Sequence, residues 1–192
     1  MKQLRIILLA CVVLILPGCS NQQKSLTHEV ALTADLIKNI KDENLEETII
    51  EHIHIKMNED FSNQEDVVRN LSNGQRAVYV TWIVEAEVNN GGFNQFYYNS
   101  SGQLGDLMQD SFRTIGATQF ADLAGQAHLV YNGIKEELEK YNDGTVESFS
   151  KSYEGNPLND FDDKFYKLYE SEPLHQIKIK YIRDNVSEFV TE

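Results

Sequence analysis

Histidines, close carboxylate pairs and two cysteines are the residues of this 192-residue chain whose types could do chemistry, and their spacing limits what each could do. His52 and His54 are two apart. On a helix they point roughly 200° apart and cannot share a metal ion, whereas a strand would place them on one side. The other three histidines are scattered, and no H-E-x-x-H zinc spacing occurs. Packing or solvent-facing roles are expected for all five histidines, with no metal and no cofactor. Glu85 and Glu87 resemble an acid–base pair, but two apart on a helix again means different faces. Asp160, Asp162 and Asp163 gather where a helix should begin, and the helix dipole stabilises negative charge there. Aligning Gly144 with the EF-hand glycine puts Ser150 where a bidentate Glu is required, so the Ca²⁺ loop fails. The chain has no G-x-G-x-x-G, Walker A or G-x-S-x-G motif. No residue is assigned a catalytic role, and a non-enzymatic protein is expected.

The acidic residues are the more unusual feature. Glu43, Glu47 and Glu51 recur at every fourth position, opposite an apolar stripe of Leu45, Ile49, Ile53 and Met57. Like charges at that spacing repel by about 0.2–0.5 kcal/mol per pair. A solubilising face is one reading, and a row of carboxylates for a basic partner is the other. Net charge is −13. Such a surface repels nucleic acid, so direct nucleic-acid binding is not expected.

The cysteines belong to the N-terminus. Lys2 and Arg5 precede an unbroken apolar run, Ile6 to Leu16, too short to span a bilayer comfortably. Leu16-Pro17-Gly18-Cys19 comes next and resembles a bacterial lipobox. The expected outcome is cleavage of residues 1–18, lipid attachment at Cys19, and a polar tether over residues 19–25. Several acyl chains on one residue anchor stably, at about 0.8 kcal/mol per buried CH₂. The protein is then expected to be extracytoplasmic, held on the outer or plasma membrane of a bacterial envelope. Cleavage removes Lys2 and Arg5 from the 17 basic residues and none of the 30 acidic ones, so the mature charge is near −15. It also removes Cys11, leaving no thiol for a disulfide or a nucleophile.

The rest, residues 26–192, reads as one all-α domain. A first helix is expected between Leu26 and Lys41, with Val30, Ala34 and Ile37 on one face, and a second along the Leu45–Met57 stripe. Ser62 with Glu65, and Ser72 with Gln75, look like capping boxes opening the third and fourth helices. The fourth contains AVYVTWIVEAEV, apolar on nearly every face and therefore central. It should stop at Asn89-Asn90-Gly91-Gly92, before a tight FNQFYYNSSG segment. Leu104, Leu107, Met108, Phe112 and Ile115 mark the next helix, closed by Gly116. Thr118 is expected to cap a long helix running to Tyr141, and Asp160 to cap another carrying Phe161, Phe165 and Leu168. Pro173 opens the last.

One segment is more specific: EAEVNNGGFNQFYYNSSGQ, residues 85–103. Together with SNGQRAVYVTWIVE before it, IGATQFADLAGQA after it, and FDDKFYKLYE and IKIKYIRDN near the end, it resembles the DNA-mimic protein family over roughly Leu45 to Val186. The resemblance implies an all-helical fold, a dimer, and binding of a DNA-binding protein through acidic surface. It falls on Glu87, Val88, Asn90, Gly91, Gly92 and Phe93, with Gln95 and Phe96 next in the chain, and on Asp162, Asp163, Phe165 and Tyr166. Gly91 or Gly92 can take positive φ. The polar groups Glu87, Asn90 and Gln95 either brace a structural corner or contact a ligand there. Three functions are compatible with these features: a binding module for a basic protein, an extracytoplasmic enzyme or small-ligand binder at the Gly91-Gly92 corner, or a structural envelope lipoprotein.

Overall fold

A short N-terminal helix shows how closely local signals control this chain. Thr33 Oγ1 accepts the Leu36 N–H and opens α1 (Ala34–Asn39). The computed structural model describes residues 31–190, so the apolar leader, Cys19 and the tether lie outside the described residues. The expected helix up to Lys41 is shorter than its pattern, because Ile40 and Lys41 are extended before α2 (Asp42–His54) begins. Arg183 explains the break. Its guanidinium donates to the carbonyls of Ile37 and Ile40 and to Asp42 Oδ1, using groups that a continuous helix would have consumed.

On α2, Leu45, Ile49 and Ile53 are buried as their spacing predicts, and Met57 packs on the core beyond the helix end. The start of α3 (Gln64–Arg69) differs from expectation. Its N-cap is Asn63, and Ser62 makes no cap bond. Asn63 instead braces the preceding loop, accepting the Asn58 N–H at 2.7 Å. Ser72 does cap α4 (Asn73–Tyr98), accepting from Gln75 N at 3.2 Å. The Gln75 side chain reaches the carbonyl of Phe189 rather than closing a capping box.

The central position of α4 results from its composition. Ala77, Val78, Tyr79, Val80, Thr81, Val84 and Val88 are all buried, and α2, α3, α5 and α8 pack around it. Burying each large apolar side chain contributes about 1.5–3 kcal/mol. The helix breaks at Gly91 (φ −157°) and Gly92 (φ 74°), then resumes, so the expected tight segment is largely a second helical arm. A 3₁₀ stretch, Ser100–Leu107, leads into α5 (Met108–Ile115), which ends on left-handed Gly116 as expected.

Helix α6 (Thr118–Leu138) is not capped by Thr118. The buried Glu172 carboxylate does that from a distance, accepting the N–H groups of Gln119 and Phe120 at 3.0–3.2 Å and the Thr118 hydroxyl. A short α7 (Val146–Lys151), not foreseen, is capped by Thr145. Then come α8 (Asn159–Leu168) and α9 (Leu174–Asp184). Asp160 lies inside the first turn of α8 and makes no cap bond, while Pro173 is the N-cap of α9 rather than its first turn. An aromatic cluster of Phe93, Phe112, Phe120 and Phe165 locks α4, α5, α6 and α8, with ring centroids 4.9–6.5 Å apart. No strand occurs among the described residues, and the fold is all-α.

Candidate functional site

The acidic row is where its spacing predicts. Glu43, Glu47 and Glu51 are exposed on the outer face of α2, away from Leu45, Ile49 and Ile53. Lys41 lies 3.4 Å from Glu43. Neither Glu47 nor Glu51 has a lysine or arginine within ion-pair distance among the described residues. Some other acidic side chains on helices are matched along the same helix, Glu65 by Arg69, Glu147 by Lys151 and Asp184 by Lys180, while Asp66, Glu136, Asp160 and Asp163, like Glu47 and Glu51, have no lysine or arginine within ion-pair distance among the described residues.

The corner in α4 is a second assembly, and it is internally saturated. Interrupting a helix frees carbonyls on one side of the break and N–H groups on the other. Tyr166 donates its hydroxyl to the Val88 carbonyl and Tyr153 to that of Gly91, each at 2.8 Å. Asp162 Oδ1 accepts the Phe93 N–H at 2.8 Å. Burial raises the Asp162 carboxyl above the usual carboxylate range, opposed by that N–H and reinforced by the charge of Asp163. Glu87 accepts from Gln95, Asn99 and Ser101 at 2.7–3.0 Å, tying the first arm of α4 to its second arm and to the start of the 3₁₀ stretch. Phe93 and Phe96 are fully buried beneath. Asn90 and Asp163 are exposed, and their side chains make no hydrogen bond among the described residues. Thus Glu87, Gln95, Gly92, Phe93 and Asp162 are brought together, while Asn90 and Asp163 stand outside the network. Glu85 and Glu87 do face different partners.

The structure adds a cluster that sequence reasoning passed over. Lys178 on α9 is 1% exposed and bridges Glu46 of α2 and Glu85 of α4, the latter at 2.7 Å. His175 Nδ1 lies 3.0 Å from Glu46 Oε2, and the Tyr169 hydroxyl donates to Glu85 Oε1 at 2.9 Å. A signal existed. Leu174, Lys178 and Ile182 occupy one helical stripe, and both neighbours of the lysine in it are fully buried. A lysine at the centre of a core stripe needs a carboxylate across the interface.

His52 is buried on α2, while His54 is half-buried with its ring edge-on to Phe61 and Trp82. No group of three or more metal-ligating side chains gathers among the described residues.

These features define an acidic all-α domain organised around one kinked central helix and its braced corner. The chain belongs to the family described as DMP19-like protein, whose sequence model matches residues 69–185. That span runs from the end of α3 to the end of α9 and holds the whole corner; Glu43, Glu47 and Glu51 lie before it. Neither a curated protein nor a solved structure matches the chain.

Proposed function

We propose that this protein is a membrane-anchored lipoprotein whose helical domain is a non-enzymatic binding module, engaging a basic protein through the outer face of α2. The observation that carries the reading is the exposure of Glu47 and Glu51 without a basic partner, in line with Glu43. Uncompensated like charges along one face cost stability, and a cationic partner recovers that cost on docking. The row repeats every four residues, about 6 Å along the axis. One DNA strand carries a charge about every 3.4 Å. The face therefore offers roughly half the linear charge density of a nucleic-acid strand and suits a basic protein surface more broadly than a DNA-reading one. Anchoring through Cys19 places that face outside the cytoplasm, and family likeness adds a homodimer to the proposal. A ligand or catalytic site at the corner draws less support, because Glu87, Gln95 and Asp162 already spend their hydrogen bonds within the protein.

The deciding experiment is capture of envelope proteins on the full chain at low and high salt. Charge-driven binding should weaken as the Debye length falls from roughly 30 Å at 0.01 M to 10 Å at 0.1 M. A Glu43→Gln, Glu47→Gln, Glu51→Gln triple variant should lose the salt-sensitive partner. Retention of that partner by the triple variant, or capture indifferent to salt, overturns the proposal.

A further inference from the structure

The first turns of α4 and the adjoining face of α5 border an open groove of about 370 Å³. Asn73 and Arg76 are three apart on α4, and Ser111 and Thr114 three apart on α5, so each pair shares one helix face. Arg76 is an exception in this acidic chain. Among the described residues, Arg69, Arg113 and Arg183 each have a carboxylate at 3.6 Å or closer, and Arg76 has none. Its half-buried guanidinium donates to two neutral acceptors, the Arg69 carbonyl at 3.4 Å and Asn73 Oδ1 at 3.2 Å. A guanidinium carries five N–H donors, so three stay unused. The second bond turns the Asn73 oxygen toward Arg76 and leaves the Asn73 NH₂ group without an acceptor among the described residues.

Ser111 belongs to the same groove. It is 5% exposed and lines the groove, yet its hydroxyl makes no hydrogen bond among the described residues. Helical hydroxyls commonly turn back to a carbonyl one turn earlier, as Thr81 does to Ala77 at 2.8 Å. Ser111 and Thr114 do not. A polar group so deeply placed is ordinarily bonded, and one without a protein partner calls for an acceptor or donor supplied through the groove.

The unbonded groups here can all donate: the Arg76 guanidinium, the Asn73 NH₂ and two hydroxyls. They come from two helices. A carboxylate holds its acceptor oxygens in one plane, whereas a phosphate directs its oxygens tetrahedrally and can meet donors on both sides. A guanidinium fork binds phosphate through paired N–H bonds. Arg76 supplies the cation, because Arg113 at the rim is flanked by Asp110 at 3.6 Å and Asp122 at 3.8 Å. The net charge of −13 repels polyanions, which restricts the ligand to a small one. We propose that this groove binds a single phosphate group through Arg76, Asn73 and the Ser111 hydroxyl. A free monoester and the phosphodiester of a lipid headgroup share that chemistry. No residue of α2 lines the groove, so the site is independent of the acidic face.

The test is an NMR titration of the full chain in micelles of an uncharged, phosphate-free detergent at fixed ionic strength. The probes are inorganic phosphate, dimethyl phosphate and acetate, followed through the backbone amides of Ser111 and Thr114 and the Arg76 Nε–H. A phosphate probe should give saturable shifts with affinity at least about tenfold above acetate. Arg76→Gln and Ser111→Ala should each weaken binding about tenfold or more. Ser111→Ala removes one oxygen and keeps the packing, so it serves should the arginine variant unfold. Asp110 is exposed and opposes an anion at the rim, so Asp110→Asn should tighten binding about twofold or more, a gain that misfolding cannot imitate. Tighter inorganic phosphate identifies a monoester as the source; dimethyl phosphate at equal or higher affinity identifies a diester headgroup. Absence of saturable shifts with both phosphates, acetate bound as tightly, binding undiminished by Arg76→Gln or Ser111→Ala, or binding weakened by Asp110→Asn overturns the proposal.

Discussion

Lys178 Nζ sits 2.7 Å from Glu85 Oε2, across the interface of α9 and α4, with its own side chain 1% exposed. Glu46 closes the cluster from α2. Removing the cation strands two carboxylates in a poorly solvated place. Lys178→Met should therefore cost about 3–5 kcal/mol, whereas replacing Glu46, Glu85 and Lys178 together by apolar residues of similar volume should recover most of that loss. Urea unfolding monitored by circular dichroism measures both. A single variant as stable as wild type would show that the cluster does not hold the helices together.

The two corner glycines should differ. Gly92 has φ 74°, and a Cβ there would lie 2.1 Å from Asp162 Oδ2. Gly91 has φ −157°, outside the left-handed region, and a Cβ there would press on the Gln95 side chain, 2.3 Å from its Oε1 and 3.0 Å from its Cβ. Gly92→Val should lose on the order of 1–3 kcal/mol from backbone strain alone, with the Asp162 clash in addition. Gly91→Val should lose less. Thermal melts of the pair check the order, and equal melting temperatures would refute it.

Asp162 gives a pH dependence of definite sign. Burial raises its folded pKa above the unfolded value. Its favourable contribution is therefore complete below the unfolded pKa, near 3.9, and is lost as pH rises through the folded value. Asparagine keeps an acceptor for the Phe93 N–H and carries no charge. Asp162→Asn should thus be at least as stable as wild type at pH 7, while Asp162→Ala should lose about 0.5–2 kcal/mol with the lost cap. Denaturation of both variants at pH 4 and pH 7 decides this. An Asn variant markedly weaker than wild type at pH 7 contradicts it.

Two half-buried histidines act in the opposite direction. Burial lowers the pKa of His54 and of His128. Each contributes stability that is present above the unfolded histidine pKa and lost as pH falls through the lowered folded value. NMR titration should place both imidazole midpoints below 6.5, the ordinary value for histidine. A midpoint above that value for either ring would reverse the sign.

Location is tested at Cys19. Cells expressing wild type and Cys19→Ala are labelled with a radioactive fatty acid and fractionated. Label should enter wild type alone, and wild type should sediment with membranes. Equal labelling of the two forms, or an unprocessed cytoplasmic product, refutes lipid anchoring.

Much of the fold was legible because its signals are local. The i, i+4 stripe of Leu45, Ile49 and Ile53 sets the buried face of α2 and thereby exposes Glu43, Glu47 and Glu51. The near-continuous apolar run of α4 requires a central place, and two adjacent glycines interrupt it. Gly116 ends α5 with positive φ for the reason expected of glycine. Capping assignments failed where a distant residue competed. Glu172 took the N-terminus of α6 that Thr118 was expected to cap, and Arg183 cut the first helix short by claiming its carbonyls.

The sequence by itself therefore determined the all-α class, the central helix, the corner and the charged face, because periodicity, glycine freedom and like-charge spacing act within a few residues. Only the tertiary structure decided what the corner's polar groups do. Glu87 and Gln95 could equally have faced a ligand until they met each other and Asn99 and Ser101 met Glu87, just as Asp162 met the Phe93 N–H. The Glu46–Lys178–Glu85 cluster joins residues 93 and 132 positions apart along the chain. Such pairings depend on how helices dock, and no local pattern encodes which carboxylate a buried lysine will meet.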